Sequence, residues 1–358
     1  MDTIVLNIKE ECMTEHDFEE AGHILRNGGL VAFPTETVYG LGADAMNQEA
    51  AAKIYAAKGR PSDNPLIVHV AAKEDLLPLV KEIPPKAEIL MNAFWPGPLT
   101  MIFRKTEKVP YGTTGGLDTV AIRMPEHKIA LELIRQSGVA IAAPSANTSG
   151  RPSPTTAQHV LQDMNGRIDM IIDGGKVGIG IESTIVDMTV EPPMILRPGY
   201  ITKEMLEKKI GAVAVDKVVE AKHLSEIKKD DYAPKAPGMK YKHYAPKAEL
   251  IMFEGMKENV VRAINKRKEQ EETAGKKVGI ICTEESKSCY KGAGVVSIGS
   301  RTEEATIAAN LYEVLRDFDE TDVDVILGET FYGDGLGQAI MNRLIKAAGY
   351  NIIDADCL

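Results

Sequence analysis

The chain has 358 residues, 44% of them hydrophobic, and a formal net charge of −10. That length suggests two domains, and the apolar content suffices for two cores. The acidic balance argues against a protein whose main surface seeks nucleic acid or anionic membrane, while leaving room for a local basic pocket. Cys12, Cys282, Cys289 and Cys357 form no C-x-x-C pair and have no His partners at zinc-site spacing, so they read as reduced thiols. Met1 to Asn27 lacks the apolar core of a signal peptide, and no apolar stretch is long enough to span a bilayer. The expectation is a soluble, cytoplasmic protein.

Thr14 and Asp17 form a plausible cap for a helix from His16 to Asn27, with Phe18, Ala21 and Leu25 on its buried face. Leu30 to Phe33 is a short apolar run after a glycine pair and reads as a buried strand, stopped by Pro34. Thr35, Glu36, Thr37 and Tyr39 then lie at the strand's carboxyl end, where open α/β sheets place ligand sites, and Gly40 and Gly42 let the backbone turn tightly or approach a ligand. Gln48 to Ala57 is alanine-rich and helical, ended by Gly59. Lys58 and Arg60 flank that end and face a rigid polar turn, Pro61 to Pro65. As solvated charges they would add little to the fold. Leu66 to Val70 is the next strand and carries His69. Strand, polar turn, helix, cationic turn and strand together make a plausible anion pocket.

Helices are expected near Lys73 to Lys81 and Pro85 to Ala93. Phe94-Trp-Pro-Gly-Pro98 breaks the second, and Trp95, the only tryptophan, reads as a core anchor. Leu99 to Phe103 and Thr119 to Arg123 are strands, joined by a glycine-rich loop at Tyr111 to Gly116. Arg123 ends an apolar strand, as Arg104 does, and a strand-end arginine is more often a solvated edge charge than a ligand clamp. A helix from His127 to Ser137 and a strand at Val139 to Ala142 lead into Ala143-Pro-Ser-Ala-Asn-Thr-Ser-Gly150. This loop suits phosphate oxygens, held by backbone N–H and side-chain donors, or it is an ordinary cap before the Thr156 to Met164 helix. Strands follow at Met170 to Asp173, Ser183 to Asp187 and Met194 to Arg197, with a glycine-rich loop around Gly174 to Gly180. A helix from Thr202 to Lys209 closes the first domain. The strand-rich stretch from Met170 to Arg197 points to a mixed sheet, not a strictly alternating doubly wound one.

Residues 212–247 read as a linker, polar from Asp216 onward and holding Pro234, Pro237 and Pro246. Its end, Met239-Lys-Tyr-Lys-His-Tyr-Ala-Pro246, interleaves lysines with aromatics. A solvated spacer, a basic–aromatic RNA-binding strip and a lid all fit that composition. Residues 248–358 alternate strands (Leu250 to Phe253, Val278 to Cys282, Val295 to Ile298, Val323 to Leu327) with helices (Lys257 to Glu272, Glu303 to Phe318, Leu336 to Ala348). This is a Rossmann-like parallel βαβ pattern. Gly333-Asp-Gly-Leu-Gly337 lacks the full dinucleotide spacing and reads as a packing turn.

Pro34-Thr-Glu-Thr-Val-Tyr-Gly-Leu-Gly42, Lys58-Gly-Arg60 and Pro144-Ser-Ala-Asn147 together resemble the YrdC-type threonylcarbamoyl-AMP synthases. Met239 to Pro246 and the C-terminal third resemble the long, two-domain form of that family. The resemblance implies a YrdC-like domain at 1–211, a twisted mixed sheet around a large cavity, followed by a linker or lid at 212–247 and the smaller domain at 248–358. It implies a nucleotidyltransferase making threonylcarbamoyl-AMP and pyrophosphate from L-threonine, bicarbonate and ATP. The product would feed N6-threonylcarbamoyladenosine formation on tRNA through a separate transferase, with no direct tRNA binding required.

By the same resemblance, Thr35, His69, Arg123, Ala143 and Ser183 hold threonine. Lys58, Arg60, Ser62, Thr119, Ser145, Asn147, Ser153, Arg197 and Tyr241 surround ATP, with Lys58 and Arg60 acting in catalysis. Mg2+ is expected with the triphosphate, and no protein carboxylate is assigned to it. Two other classes remain open from the residues alone: an RNA-binding module, and a carbamoyl transferase on a related domain. The second would be expected to carry zinc-finger cysteine clusters, which this chain lacks.

Overall fold

The structure is a computed structural model and describes residues 2–221, 236, 243–292, 294–331, 333 and 335–358. The chain divides into two compact units, one running through Glu220 apart from Gly150–Pro152, the other taking in those three residues and the chain from His243 to Leu358.

In the first unit the strands are β1 (Ile4–Asn7), β2 (Val31–Phe33), β3 (Gly40–Asp44), β4 (Ile67–His69), β5 (Leu99–Arg104), β6 (Thr119–Arg123), β7 (Ile141–Ala142), β8 (Met170–Asp173), β9 (Thr184–Asp187), β10 (Met194–Arg197) and β11 (Ala214–Val215). They form one sheet in the order β1-β8-β2-β3-β7-β4-β6-β5-β9-β10-β11. The ladder is mixed: β4 pairs parallel with β6, while β5 pairs antiparallel with β6 and parallel with β9. The helices are α1 (Glu19–Arg26), α2 (Gln48–Lys58), α3 (Pro85–Phe94), α4 (Tyr111–Thr114), α5 (Lys128–Ser137), α6 (Ala157–Met164), α7 (Lys203–Ile210) and α8 (Lys217–Glu220). Separate apolar clusters pack on the sheet, the larger against α2, α3, α6 and α7 and another against α1 and α5. Trp95 belongs to the larger one and donates its indole N–H to Leu99 O at 2.7 Å, as befits a core anchor.

Local signals explain most element ends. The carboxylate of Asp17 accepts from Thr14 N at 2.7 Å, a capping contact over a 3-10 turn (Glu15–Phe18) that runs into α1. Asn47 caps α2 through Glu49 N and Ala50 N, and Gly59 ends it in the left-handed conformation at φ 61°. Three expectations need correcting. Lys73 to Lys81 is no helix but a single 3-10 turn (Lys73–Leu76), because Pro78 has no N–H to carry the ladder on. The loop at Tyr111 to Gly116 contains the short α4, started after Pro110 and capped by Gly115 at φ 62°. Gly40 and Gly42, expected to let the backbone turn tightly or approach a ligand, lie in the fully paired strand β3.

The second unit holds β12 (Glu249–Glu254), β13 (Val278–Cys282), β14 (Val295–Ser297), β15 (Val325–Glu329) and β16 (Ile352–Asp354), with α9 (Lys257–Thr273), α10 (Glu304–Asp319) and α11 (Leu336–Ala347). The strands are all parallel, in the order β14-β13-β15-β12-β16. β15 starts two residues later than the apolar run suggests, and β16 is too short and half-exposed to announce itself. Gly333 and Gly337 pack on α10, where Glu304 accepts from Gly337 N at 2.9 Å, consistent with a packing turn.

Candidate functional site

The site grows from the carboxyl ends of β2, β4, β6 and β10. After β2, Pro34 turns the chain and Thr35 Oγ1 organises the next residues. It donates to Val38 O at 2.8 Å and lies 2.8 Å from Thr37 Oγ1. Thr37 Oγ1 in turn accepts from Arg123 Nη1 at 2.9 Å. His69 and Arg123 end neighbouring parallel strands and are paired in register.

Burial separates the two strand-end arginines that look alike in sequence. Arg104 is exposed, whereas Arg123 is only 4% exposed. Its second terminal nitrogen lies 2.6 Å from Glu36 Oε2, in an ion pair almost wholly removed from solvent. Among the described residues Glu36 Oε1 has no hydrogen-bond partner. An ion pair this dry is held at a large desolvation cost, which is characteristic of a place built to meet a charged ligand. Glu36 was visible as part of the motif, but nothing in the sequence shows that it reaches Arg123.

His69 is buried and packs edge-on against Phe33, with ring centroids 6.2 Å apart. Burial first, and the Arg123 charge second, push its pKa from 6.5 down to about 3, so the ring is neutral. With Nδ1 3.1 Å from Ile67 O, the proton is assigned to Nδ1.

The same wall continues through β9 and β10. Ser183 Oγ lies 2.7 Å from Thr100 Oγ1 and accepts from Arg197 Nη2 at 3.1 Å, and Arg197 Nε donates to Ser183 O at 3.0 Å. Thr100 is the register partner of Arg123 across β5 and β6, so Arg197, Ser183, Thr100 and Arg123 follow one another along this wall. Ser153 Oγ donates to Glu182 Oε1 at 2.5 Å, next to Ser183 in the chain. The loop before β9 is tied to the motif after β2, since Gly180 N donates to Thr37 O and Ile179 N to Glu36 O.

Lys58 is the main surprise. It is 2% exposed, and its ammonium donates to Asn147 O at 2.6 Å and to Ser145 O. Ser145 Oγ donates to Asn147 Oδ1 at 2.5 Å, and Ser145 bridges Gly40 on β3. Lys58 therefore clamps the Pro144 to Asn147 loop onto the end of α2. Arg60 is also buried, at 9% exposure, with Nη2 3.4 Å from Pro65 O. Both cations are therefore buried, and Lys58 takes a structural part that a solvated charge would not. A lysine at the last turn of a helix also lies at the negative end of its dipole, which adds to the anchorage.

The structure thus joins Thr35, Arg123, Ser183 and Arg197 on one wall, sets His69 beside Arg123, and joins Lys58, Ser145 and Asn147 on another. Ala143, just after β7, donates its N–H to Ile67 O and is buried. Ser62 sits exposed in the polar turn, and Thr119 lies at the far end of β6 from Arg123. Tyr241 and most of the expected lid lie outside the described residues. Among the described residues no cluster of three His, Cys, Asp or Glu is placed to hold a metal ion. No helix of the described residues is long and apolar enough to cross a membrane.

The chain matches the Sua5/YciO/YrdC family model, described as "Telomere recombination", over residues 23–199, and the model "Threonylcarbamoyl-AMP synthase, C-terminal domain" over 201–349. The threonylcarbamoyl-AMP synthase of Pyrococcus abyssi (strain GE5 / Orsay) is 51% identical over 351 residues, covering 98% of this chain and 99% of that protein. The Bacillus subtilis (strain 168) protein of the same name is 49% identical over 350 residues, 97% and 98% of the two chains. Among solved structures, that of P. abyssi Sua5 complexed with L-threonine superposes with a TM-score of 0.91 at 50% identity, covering 98% of this chain and 99% of that one.

Proposed function

This chain belongs to the threonylcarbamoyl-AMP synthase family, and on that premise we propose how its first unit carries out the reaction. The enzyme is a nucleotidyltransferase that takes L-threonine and ATP to threonylcarbamoyl-AMP. The observation that carries the site reading is the buried Arg123, which presents a guanidinium fork beside a neutral imidazole and two threonine hydroxyls.

Arg123 holds the α-carboxylate of threonine by a charge-assisted pair, the geometry for which a guanidinium is suited. Glu36 keeps the fork oriented from the other side. Thr35, neutral His69, Ser183 and the backbone at Ala143 complete the threonine niche. The amine then takes up carbon from bicarbonate or carbon dioxide to give a carbamate. A carbamate oxygen attacks the α-phosphorus of ATP, and pyrophosphate leaves. Such a displacement asks for positioning and charge neutralisation, not an enzyme nucleophile.

Arg197, Ser145, Asn147, Ser153 and the turn carrying Arg60 and Ser62 surround the nucleotide, with Thr119 as a further contact. Lys58 acts from behind, by fixing the Ser145 to Asn147 loop, and reaches phosphate only if it leaves its carbonyls. Mg2+ enters with ATP as part of the substrate, held by phosphate oxygens and water. The product serves N6-threonylcarbamoyladenosine formation through a separate tRNA transferase, in the cytoplasm. Carbon-13 bicarbonate tests the chemistry directly: the label should appear in the carbamoyl carbon of the adenylate, and an unlabelled product would refute the carboxylation step.

A further inference from the structure

Thr100 sits in the wall of the site with no part in the reaction described so far. It is the one polar residue in the strand core Leu99-Thr-Met-Ile-Phe103, and it is wholly buried. Valine has the same branched shape, suits a strand as well and carries no polar atom inside. A hydroxyl at this position therefore costs free energy unless it is used. As the register partner of Arg123 on β6, Thr100 stands on the same face of the sheet as that arginine.

The backbone beside it is fixed without its help. Thr184 N donates to Pro98 O at 3.0 Å, and Arg197 Nε donates to Ser183 O at 3.0 Å. The chain at Gly199 comes so close that a Cβ there would lie 2.5 Å from Thr184 N. What this frame leaves open is the direction of the Ser183 hydroxyl. Ser183 Oγ has hydrogen bonds to Arg197 Nη2 at 3.1 Å and to Thr100 Oγ1 at 2.7 Å. The guanidinium can only donate. Whichever hydroxyl donates in the Ser183–Thr100 bond, the other keeps a proton with no acceptor among the described residues. A buried donor left unspent is costly, so the ligand must bring the acceptor.

Ser183 is the member of the pair that meets threonine in the placement proposed above, so the unspent proton is assigned to Ser183. Arg197 and Thr100 then fill both of its acceptor positions, and it can only donate into the niche. Of threonine's polar groups, the carboxylate belongs to Arg123, and the amine is a donor that must stay free to be carboxylated. The β-hydroxyl oxygen is left to accept. We propose that Thr100 is a positioning residue for substrate choice: by donating to Ser183, it makes the Ser183 hydroxyl a one-way donor to the β-hydroxyl oxygen of threonine, given that placement of the substrate.

The test is pyrophosphate release by the full chain with L-threonine or L-2-aminobutyrate, which keeps the carboxylate, amine and methyl group but lacks the hydroxyl. Thr100→Val should cut the preference for threonine in kcat/KM about tenfold, the size of one hydrogen bond. The loss should lie in the KM for threonine, with kcat and the KM for 2-aminobutyrate unchanged, and Thr100→Ser should restore the preference. If Thr100→Val does not fold, Thr100→Ala reads the same ratio. A preference retained without the Thr100 hydroxyl, or a KM raised equally for both amino acids, would make Thr100 a packing residue and overturn the proposal. Ser183→Ala separates this from the placement of threonine itself. If that variant loses the preference while Thr100→Val keeps it, only the role of Thr100 fails. If Ser183→Ala keeps it too, Ser183 is not in the niche and the placement fails as well.

Discussion

Replacing Lys58 with methionine keeps the aliphatic stem and removes only the ammonium. That ammonium donates to Asn147 O at 2.6 Å and to Ser145 O, inside a site where the residue is 2% exposed. Charge-assisted hydrogen bonds contribute about 1.5–3 kcal/mol each, and the stranded carbonyls add a desolvation cost. The two effects overlap, so Lys58→Met should lower stability by about 3–5 kcal/mol. Denaturant titration measures this, with the slope checked so that loss of compactness is not mistaken for loss of stability. ATP affinity, measured on the folded fraction, should fall as well, because the loop carrying Ser145 and Asn147 is no longer pinned to α2. A stability change within about 0.5 kcal/mol, the range of an ordinary surface substitution, would refute the clamp. If ATP affinity fell at the same time, Lys58 would be a direct phosphate ligand and not a brace.

Arg123→Lys keeps the charge but loses the planar fork, so threonine affinity should drop well beyond any change in ATP affinity; equal losses measured by calorimetry would contradict the assignment. Glu36→Gln should raise the KM for threonine roughly tenfold, equivalent to about 1.4 kcal/mol, with ATP affinity unchanged. Steady-state kinetics that show the reverse split would move Glu36 to the nucleotide side. His69 has a folded-state pKa depressed from 6.5 to about 3, so the native state binds fewer protons than the unfolded chain in that window. Stability should therefore be intact above pH 6.5 and decline on acidification toward pH 3, by at most about 1.4 kcal/mol per unit from this group. His127, also depressed chiefly by burial, acts with the same sign. His69→Gln should flatten that acid limb in denaturation curves, and an unchanged slope would mean the ring is not buried neutral.

The apolar runs that became β2, β4, β5, β6 and β13 were legible because a buried strand needs little more than a short hydrophobic stretch with a clear stop. β3 was not, since Gly40 and Gly42 read as turn residues. Their lack of side chains instead lets the strand pack against Phe33 and Ile141, where a Cβ on Gly42 would collide. The motif residues were also legible, by their resemblance to a family. Their mutual arrangement was not. Neither the Lys58 clamp, which spans 89 residues to Asn147, nor the Glu36–Arg123 pair leaves a local signal in the chain. Arg104 and Arg123 end their strands alike, and only tertiary packing decides which is buried.

The central claim is that one site binds ATP and threonine together and couples pyrophosphate release to carboxylation of the threonine amine. The direct measurement is pyrophosphate release from ATP by the purified full chain, with threonine and bicarbonate each omitted in turn. Release should require both, fall to background when either is missing or when Arg123 is changed to Lys at low threonine, and return when the missing component is restored. Release that proceeds equally without threonine, or equally in a bicarbonate- and CO2-free buffer, would contradict the account.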